Sequence, residues 1–185
     1  MRSLLQVSLA VGVGFAAAAC TSENIEPTPI VVTVKRHAIP SAFELQFPAE
    51  WQAVMVAEGI MVFGPSEVAT FREPGPSVTV YRVRADRIAG SDEEVFENFL
   101  TSGPLRGKFG TVGSVEVAQL GQYQGLSVDM KREADEELIA MRGKVLMART
   151  DGGAVYFLSA TSPSEIWDEA WPKMKAVLDS VQFNE

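Results

Sequence analysis

The order of segments in this 185-residue chain predicts a single α+β domain, a central antiparallel β-sheet flanked by two main helices. After residue 41, several segments read as strands, and the clearest of them alternate apolar and polar residues with a period of two. Two other segments repeat apolar residues at helical spacing, and each opens with a capping pattern. Strand and helix segments do not alternate one for one, which argues against a doubly wound parallel sheet.

The strand predictions follow this alternation along the chain. Phe43, Leu45 and Phe47 share one face of their segment, which predicts a half-buried strand. Gly59 interrupts the apolar segment 54–64, which predicts two short strands or one bulged strand. The Asp-Gly pair in "TDGG" predicts a tight hairpin between the last two long strands. The other predicted strands span 30–36, 77–85, 112–119, 122–132, 137–149 and 153–161.

The first predicted helix spans 92–102 and begins at a recognisable cap. Ser91 precedes it, and Glu94 stands three residues after the serine, which is the spacing of a capping box. The apolar face comprises Val95, Phe96, Phe99 and Leu100. We expect this face to pack against the sheet.

The second predicted helix spans 163–180 and shows the same pattern. Ser162 is the expected cap, Pro163 takes the first helical position, and Glu165 completes a capping box. Pro172 lacks an N–H group and is expected to kink the helix. The stripe expected to face the core comprises Trp167, Trp171, Met174, Leu178 and Val181.

The N-terminal segment predicts export from the cytoplasm. Residues 1–19 combine a positive charge at Arg2, an apolar run and small residues before Cys20, which is the arrangement of a cleaved signal peptide. The apolar run is too short for a membrane span. The polar, proline-bearing stretch that follows predicts a lipidated N-terminus and tether over 20–41, and the folded domain is expected to span 42–185.

Cys20 is the only cysteine of the chain and predicts a lipid anchor. With the three alanines before it, it resembles the bacterial lipobox, in which the cysteine is diacylated and the preceding peptide is removed. The sequence departs from that pattern at Ala17, where leucine is commonest. The alternative is ordinary secretion that leaves a free thiol. Thr21 stands where aspartate signals inner-membrane retention, so the resemblance implies the periplasmic side of the outer membrane.

The charge balance restricts the partners. Against 16 Lys and Arg residues the chain has 24 Asp and Glu residues, a net charge of −8 at pH 7. Such a protein repels the phosphates of nucleic acids and anionic lipid surfaces, so we expect no nucleic-acid partner. Membrane attachment is therefore expected through the N-terminal lipid.

Four short motifs of the predicted domain match the pattern of a known fold. They are "FELQFPAEW", the glycine-bearing strand "GQYQGLSVDM", "AVYFLSATSP" and the closing "VLDSVQF". Over about residues 42–183 the chain resembles the PsbP-like fold, shared by the photosystem II extrinsic protein and a Ran-binding nuclear import factor. In the family's closing motif, serine directly precedes phenylalanine. Here two residues separate Ser180 from Phe183, which is a departure from that motif. The resemblance implies a mostly non-enzymatic protein that binds protein partners or assists membrane complexes, and many bacterial members are lipoproteins.

Candidate catalytic and cofactor-binding residues are few. His37 is the only histidine, and the predicted boundary places it before the domain. We therefore expect no Ser-His-Asp or Cys-His arrangement and no histidine-based zinc site in the domain. The segment "GPLRGKFG" does not match a phosphate-binding loop, since three residues instead of four separate Gly103 from Gly107, and Phe109 follows Lys108 where serine or threonine is required. We predict no enzymatic activity and no cofactor.

Acidic residues between two predicted strands are the candidate metal ligands. Their oxygens would suit Ca²⁺ or Mn²⁺, but the run lacks the alternation and the glycine of an EF-hand. The alternative is a solvated hairpin tip. The candidates are Asp129, Glu133, Asp135 and Glu136, with Glu137 beside them.

Other side chains suggest binding surfaces. Trp51 and Trp167 are interpreted either as core residues or as the lining of a groove. Arg82, Arg84 and Arg87 form a basic stretch at a strand end that would suit an acidic partner.

These observations predict a lipid-anchored, non-enzymatic accessory or assembly protein that binds a membrane or envelope protein complex. The alternative is a lipoprotein that binds a small ligand or a metal ion, Ca²⁺ or Mn²⁺.

Overall fold

The structure is a computed structural model that describes residues 34–39, 42–56, 59–65, 75–103, 109–136 and 138–184. The predicted signal peptide, Cys20 and most of the predicted tether lie outside these residues. The strands are β1 Val34–Ile39, β2 Phe43–Pro48, β3 Gln52–Val56, β4 Gly59–Phe63, β5 Ser77–Val83, β6 Thr111–Val112, β7 Glu116–Leu120, β8 Tyr123–Arg132, β9 Met141–Arg149, β10 Val155–Pro163 and β11 Gln182–Phe183. The helices are α1 Asp92–Ser102 and α2 Trp167–Asp179.

The strands form two antiparallel sheets. The larger has the order β3-β4-β5-β10-β9-β8-β6, and β7 pairs with β8 on the same edge as β6. The smaller has the order β1-β2-β11. Every pairing among the described strands is antiparallel. The predicted class, a single α+β domain with an antiparallel sheet and two main helices, is confirmed.

Strand β10 lies in the middle of the large sheet and is buried on both faces. Phe157 and its neighbours on one face pack with Phe96 of α1. Leu158 and its neighbours on the other face pack with α2 and the small sheet. This double burial explains why β10 is an apolar run rather than a strict alternation. The two helices therefore cover opposite faces of one sheet.

Helix α1 has the bounds and the cap that its sequence predicts. The Glu94 amide N–H donates to Ser91 Oγ at 3.3 Å, and the Ser91 amide donates to Glu94 Oε2 at 2.9 Å, completing a capping box. Phe96 is buried against the sheet, and the Phe99 ring stacks on Phe157 with centroids 3.9 Å apart. Both apolar anchors belong to the predicted face.

The predicted cap of the second helix is wrong. Residues 161–163 continue β10 and pair with β9, and Ser162 is fully buried. The Ser164 amide donates to the Ala140 carbonyl at 2.9 Å, so it is bonded outside the helix. A short 3-10 turn, Ser164–Ile166, follows, and α2 begins at Trp167 without a side-chain cap. Pairing with β9 satisfies backbone groups that the predicted capping box would have used.

The buried stripe of α2 also differs from the prediction. Trp167 and Met174 are buried as expected, as is Val181 just beyond the helix. Trp171 and Leu178 are only partly buried, and Ala170 and Val177 lie in the core instead. The helix runs as one element across Pro172, the position of the predicted kink.

Several strand bounds differ from those predicted. The segment 54–64 forms two strands, β3 and β4, which is one of the two predicted outcomes. The segment predicted as one strand over 112–119 is divided into β6 and β7. The first strand, described from Val34, ends later than the predicted 30–36, and it pairs along its described length with β2. Paired structure therefore starts before the predicted boundary at Ala42, and His37 lies in β1 opposite Leu45 instead of in a leader.

The motifs on which the predicted resemblance rests have structural roles. Trp51 closes the turn after β2 and is 1% exposed. A Cβ on Gly125 of β8 would lie 1.9 Å from the Met147 carbonyl oxygen, so the strand requires glycine there. The Gln46 amide donates to Ser180 Oγ at 2.9 Å, which links the end of α2 to β2. Phe183 packs on the Tyr156 ring at 4.3 Å in the core.

Candidate functional site

A cleft of about 320 Å³ lies where β5 leaves the large sheet. One wall is the end of β5 and the short 3-10 turn Ala85–Arg87, and the other is the hairpin that joins β9 to β10. The lining residues are Arg82, Arg84, Ala85, Asp86, Gly152 and Ala154.

The hairpin wall is built by the predicted "TDGG" turn. The Gly153 amide donates to the Thr150 carbonyl at 2.9 Å, and Gly153 has φ +79°, which glycine adopts without strain. A Cβ on Gly153 would lie 3.3 Å from the Ala85 Cβ, so the hairpin approaches the 3-10 turn closely. Glycine at this position thus sets both the turn and the distance between the two walls.

Arg82 is the innermost charged residue of the cleft. It follows Val80 on the face of β5 that packs against the larger core, and it stands opposite Tyr156 of β10. Its Nε atom is buried and has no hydrogen-bond partner within the described part of the chain. A buried donor without a partner costs about 1–3 kcal/mol, so native structures rarely leave one without a reason.

Arg84 differs from Arg82 because it has a partner. Its Nε lies 3.2 Å from Asp86 Oδ1, and both side chains are more than 60% exposed. An ion pair this exposed contributes little to stability. Arg87 is also exposed but does not line the cleft. The structure therefore brings together two of the three arginines of the predicted basic stretch.

Sequence reasoning missed the other half of the cleft. Gly152 and Ala154 come from a hairpin about 70 residues further along the chain, and only the pairing of β5 with β10 brings them to Arg82. Asp86 is adjacent in sequence, but its pairing with Arg84 depends on the 3-10 turn.

The candidate metal ligands are spread along β8 and the following loop. Asp129 forms an ion pair with Lys144 across the β8–β9 ladder, with Oδ1 and Nζ 3.1 Å apart. Asp135 Oδ1 accepts a hydrogen bond from the Leu138 amide at 2.8 Å, while Glu133 and Glu136 are exposed. Among the described residues, no three or more His, Cys, Asp or Glu side chains lie close enough to hold a metal ion. Glu137 lies outside the described residues.

The two tryptophans proposed for a groove are core residues. Trp51 is 1% exposed, and Trp167 is also buried. Trp167 stacks on Trp171 and lies 5.0 Å from the Arg142 guanidinium carbon. The core interpretation is therefore confirmed and the groove interpretation is wrong.

Burial raises the pKa of the Tyr81 phenol above its ordinary value. Tyr81 lies on β5 next to Arg82 but on the opposite face, where its ring centroid is 6.5 Å from that of Phe99. It therefore belongs to the α1 side of the sheet and not to the cleft. In the part of the chain that the structure covers, no helix is both long and apolar enough to cross a bilayer.

Comparison with known proteins identifies the fold. No family model matches the sequence, and no curated protein matches it. A crystal structure from Bacteroides thetaiotaomicron matches with a TM-score of 0.54 and 14% identity over 82% of this chain, which spans about half (48%) of that protein. Cyanobacterial PsbP from Synechocystis matches with a TM-score of 0.53 and 13% identity, over 83% of this chain and 94% of the other. The Ran-binding protein Mog1p of Saccharomyces cerevisiae matches with a TM-score of 0.52 and 9% identity, over 82% of this chain and 95% of the other.

At these identities the matches concern architecture alone. They extend over most of both partners, since 94% of the PsbP chain and 95% of the Mog1p chain are covered. The predicted resemblance to a PsbP-like domain is confirmed at the level of the fold. This chain has the fold of cyanobacterial PsbP and Mog1p.

Proposed function

We propose that this chain is a lipid-anchored, extracytoplasmic accessory or assembly protein that binds a protein partner in a membrane or envelope complex and has no enzymatic activity. The observation that carries the proposal is the cleft at the end of β5. There Arg82 has a buried Nε without a partner, while Arg84 and Asp86 at the rim are exposed. An arginine held in this way suits the recognition of an acidic group on another molecule.

The fold supports a role in protein binding. Yeast Mog1p, which has this fold, is a Ran-binding protein. The fold is thus compatible with a function that consists of contact with another protein.

The anchor is assigned to Cys20 from its sequence environment. Small residues precede it, as in the lipobox, and a polar segment follows that suits a tether. The nearest downstream charges, Glu23 and Glu26, are negative and disfavour a reactive thiolate. Several acyl chains would hold the domain firmly, because each buried CH₂ group contributes about 0.8 kcal/mol.

Metabolic labelling with a tagged fatty acid tests the anchor. The wild-type chain should be labelled and should sediment with membranes. Cys20→Ser should lose the label and either leave the membrane fraction or remain unprocessed, whereas Thr21→Ser should behave like wild type. An unlabelled, soluble wild-type protein with a free thiol would contradict the anchor.

Site-specific photo-crosslinking in intact cells tests the partner. A photoreactive residue at Gly152 would project from the exposed rim of the cleft, because the nearest atom to a Cβ there is 3.9 Å away. The matched control is the same residue at Lys173, which is exposed on α2. We expect a reproducible protein adduct from Gly152 and none from Lys173. If neither position yields a reproducible adduct, the proposed docking function is wrong.

A further inference from the structure

We propose that the cleft at the end of β5 binds a single carboxylate group, which Arg82 holds, and that a protein partner presents this carboxylate. The source of the carboxylate rests on the proposed function, whereas its binding rests on the cleft itself.

The first argument is the state of the two arginines. Arg84 is already paired with Asp86, so its charge is largely compensated. Arg82 has no ion pair within the described part of the chain, and its Nε is both buried and unbonded. Because Arg82 lines the cleft, an anion there would compensate its charge and would gain a charge-assisted hydrogen bond from the guanidinium, which is stronger than a neutral one.

The second argument is the charge around the cleft, which favours a monoanion. Asp86 lines the cleft, and Asp151 is exposed beside Gly152 in the hairpin turn. With a net charge of −8 for the whole chain, these carboxylates repel a dianion such as a phosphate monoester more strongly than a single carboxylate. The planar fork of a guanidinium also matches the two oxygens of a carboxylate.

The third argument is size. The cleft of about 320 Å³ is at the small end of ligand sites, which occupy roughly 300–1,000 Å³. That volume suits one or two residues of a peptide. Since Arg84, Asp86 and Gly152 are exposed at the rim, the rest of a partner chain has a path out of the cleft.

Calorimetric titration of the full chain, purified in detergent, tests the proposal with four probes. Triglycine presents a C-terminal carboxylate, and triglycine amide lacks it. N-acetyl-Gly-Glu-Gly-amide presents only a side-chain carboxylate, and acetate presents the group alone. We expect saturable binding of at least one of the two peptide carboxylates and no binding of triglycine amide.

Variants identify the residue responsible. Arg82→Gln should weaken carboxylate binding at least tenfold, and Arg82→Lys, which keeps the charge but loses the fork, should weaken it less. Arg84→Gln should change affinity less than threefold, and Lys173→Gln should not change it. Melting curves establish that each variant is folded, and Arg82→Lys keeps the test valid if Arg82→Gln does not fold.

Three results would overturn the proposal. One is the absence of saturable binding for every carboxylate probe, and another is unchanged affinity in Arg82→Gln. Binding of acetate alone would overturn the assignment to a protein partner. Because crosslinking from Gly152 does not depend on these titrations, an adduct obtained there would leave the proposed function standing even if no carboxylate bound.

Discussion

Helix α1 begins at a serine that caps it through a reciprocal pair of hydrogen bonds, whereas helix α2 begins without a side-chain cap. The two helices have similar lengths and cover opposite faces of the same sheet. Helix α1 starts after a loop, and the Glu94 N–H in its first turn is bonded by the Ser91 side chain. Helix α2 starts directly after β10, whose last residues are paired with β9.

This difference shows which interactions set the start of each helix. A capping box is worth about 1 kcal/mol and decides the start only where the chain is otherwise free. Two ladder positions beyond the predicted strand end, Ser162 and Pro163, together with the complete burial of Ser162, outweigh it at the end of β10. The start of α1 is therefore set locally, and that of α2 is set by tertiary pairing.

The largest expected effect is on the α1 side of the sheet. Phe96 is 1% exposed and is the buried anchor of α1, so Phe96→Ala should lower the free energy of unfolding by about 3–5 kcal/mol through the cavity it leaves. Denaturant unfolding measures this, with the exposed Asn98→Ala as control. A loss below about 1 kcal/mol would mean that α1 contributes little to the fold despite its cap.

Met174→Ala applies the same test to α2. Met174 is 0% exposed between the helix and the sheet, and the substitution should cost about 2–5 kcal/mol. The exposed Lys173→Ala is the neighbouring control and should be near neutral. If Met174→Ala has the same denaturation midpoint as the wild type, packing against the sheet does not stabilise α2. The contrast between a locally capped α1 and an α2 set by tertiary contacts would then be wrong.

Trp171→Ala should have a smaller effect than the sequence alone suggests. The predicted stripe implies a loss of several kcal/mol, but Trp171 is only partly buried and contacts Trp167 by stacking at 5.3 Å. We expect a loss of about 1–2 kcal/mol, from the stack and the remaining buried area. A loss of unfolding free energy equal to that of Met174→Ala would show that Trp171 faces the core, as the sequence predicts.

Ser91→Ala and Ser164→Ala compare the two helix starts directly. Ser91→Ala removes a cap and should cost about 1 kcal/mol. Ser164→Ala should cost less than about 0.5 kcal/mol, since the hydrogen bonds of Ser164 among the described residues, to Ala140 and from Trp167, both use its backbone. Equal costs in chemical denaturation would show that α2 has a side-chain cap after all.

The smallest effect concerns alkaline pH. Burial raises the pKa of Tyr81, so the folded protein holds the phenol proton more tightly than the unfolded chain does. The resulting stability is fully present below about pH 10 and is lost as the pH rises through the folded value. Tyr81→Phe should therefore make the free energy of unfolding fall less steeply above pH 10. Identical slopes for the two proteins would show that Tyr81 has no raised pKa.

The sequence predicted part of one wall of the cleft but not the opposite wall. Arg82 and Arg84 stand in a strand that alternates clearly, and their charge is visible beside it. The sequence did not predict that Asp86 pairs with Arg84, because that contact depends on the 3-10 turn. It did not predict the opposite wall either, because Gly152 approaches only through the register of β5 with β10. Nothing in the local sequence distinguishes the unpartnered Arg82 from the paired Arg84.

Local pattern alone determined the approximate positions of most strands, the α1 capping box and the turn at Gly153, because alternation, reciprocal capping and positive φ each depend on a few adjacent residues. Tertiary structure decided the start of α2, the burial of Val177 in place of Trp171, and the inclusion of His37 in a paired strand. In each of these cases a segment distant in the chain supplies hydrogen bonds or apolar surface. Such contacts outweigh a local preference of about 1 kcal/mol.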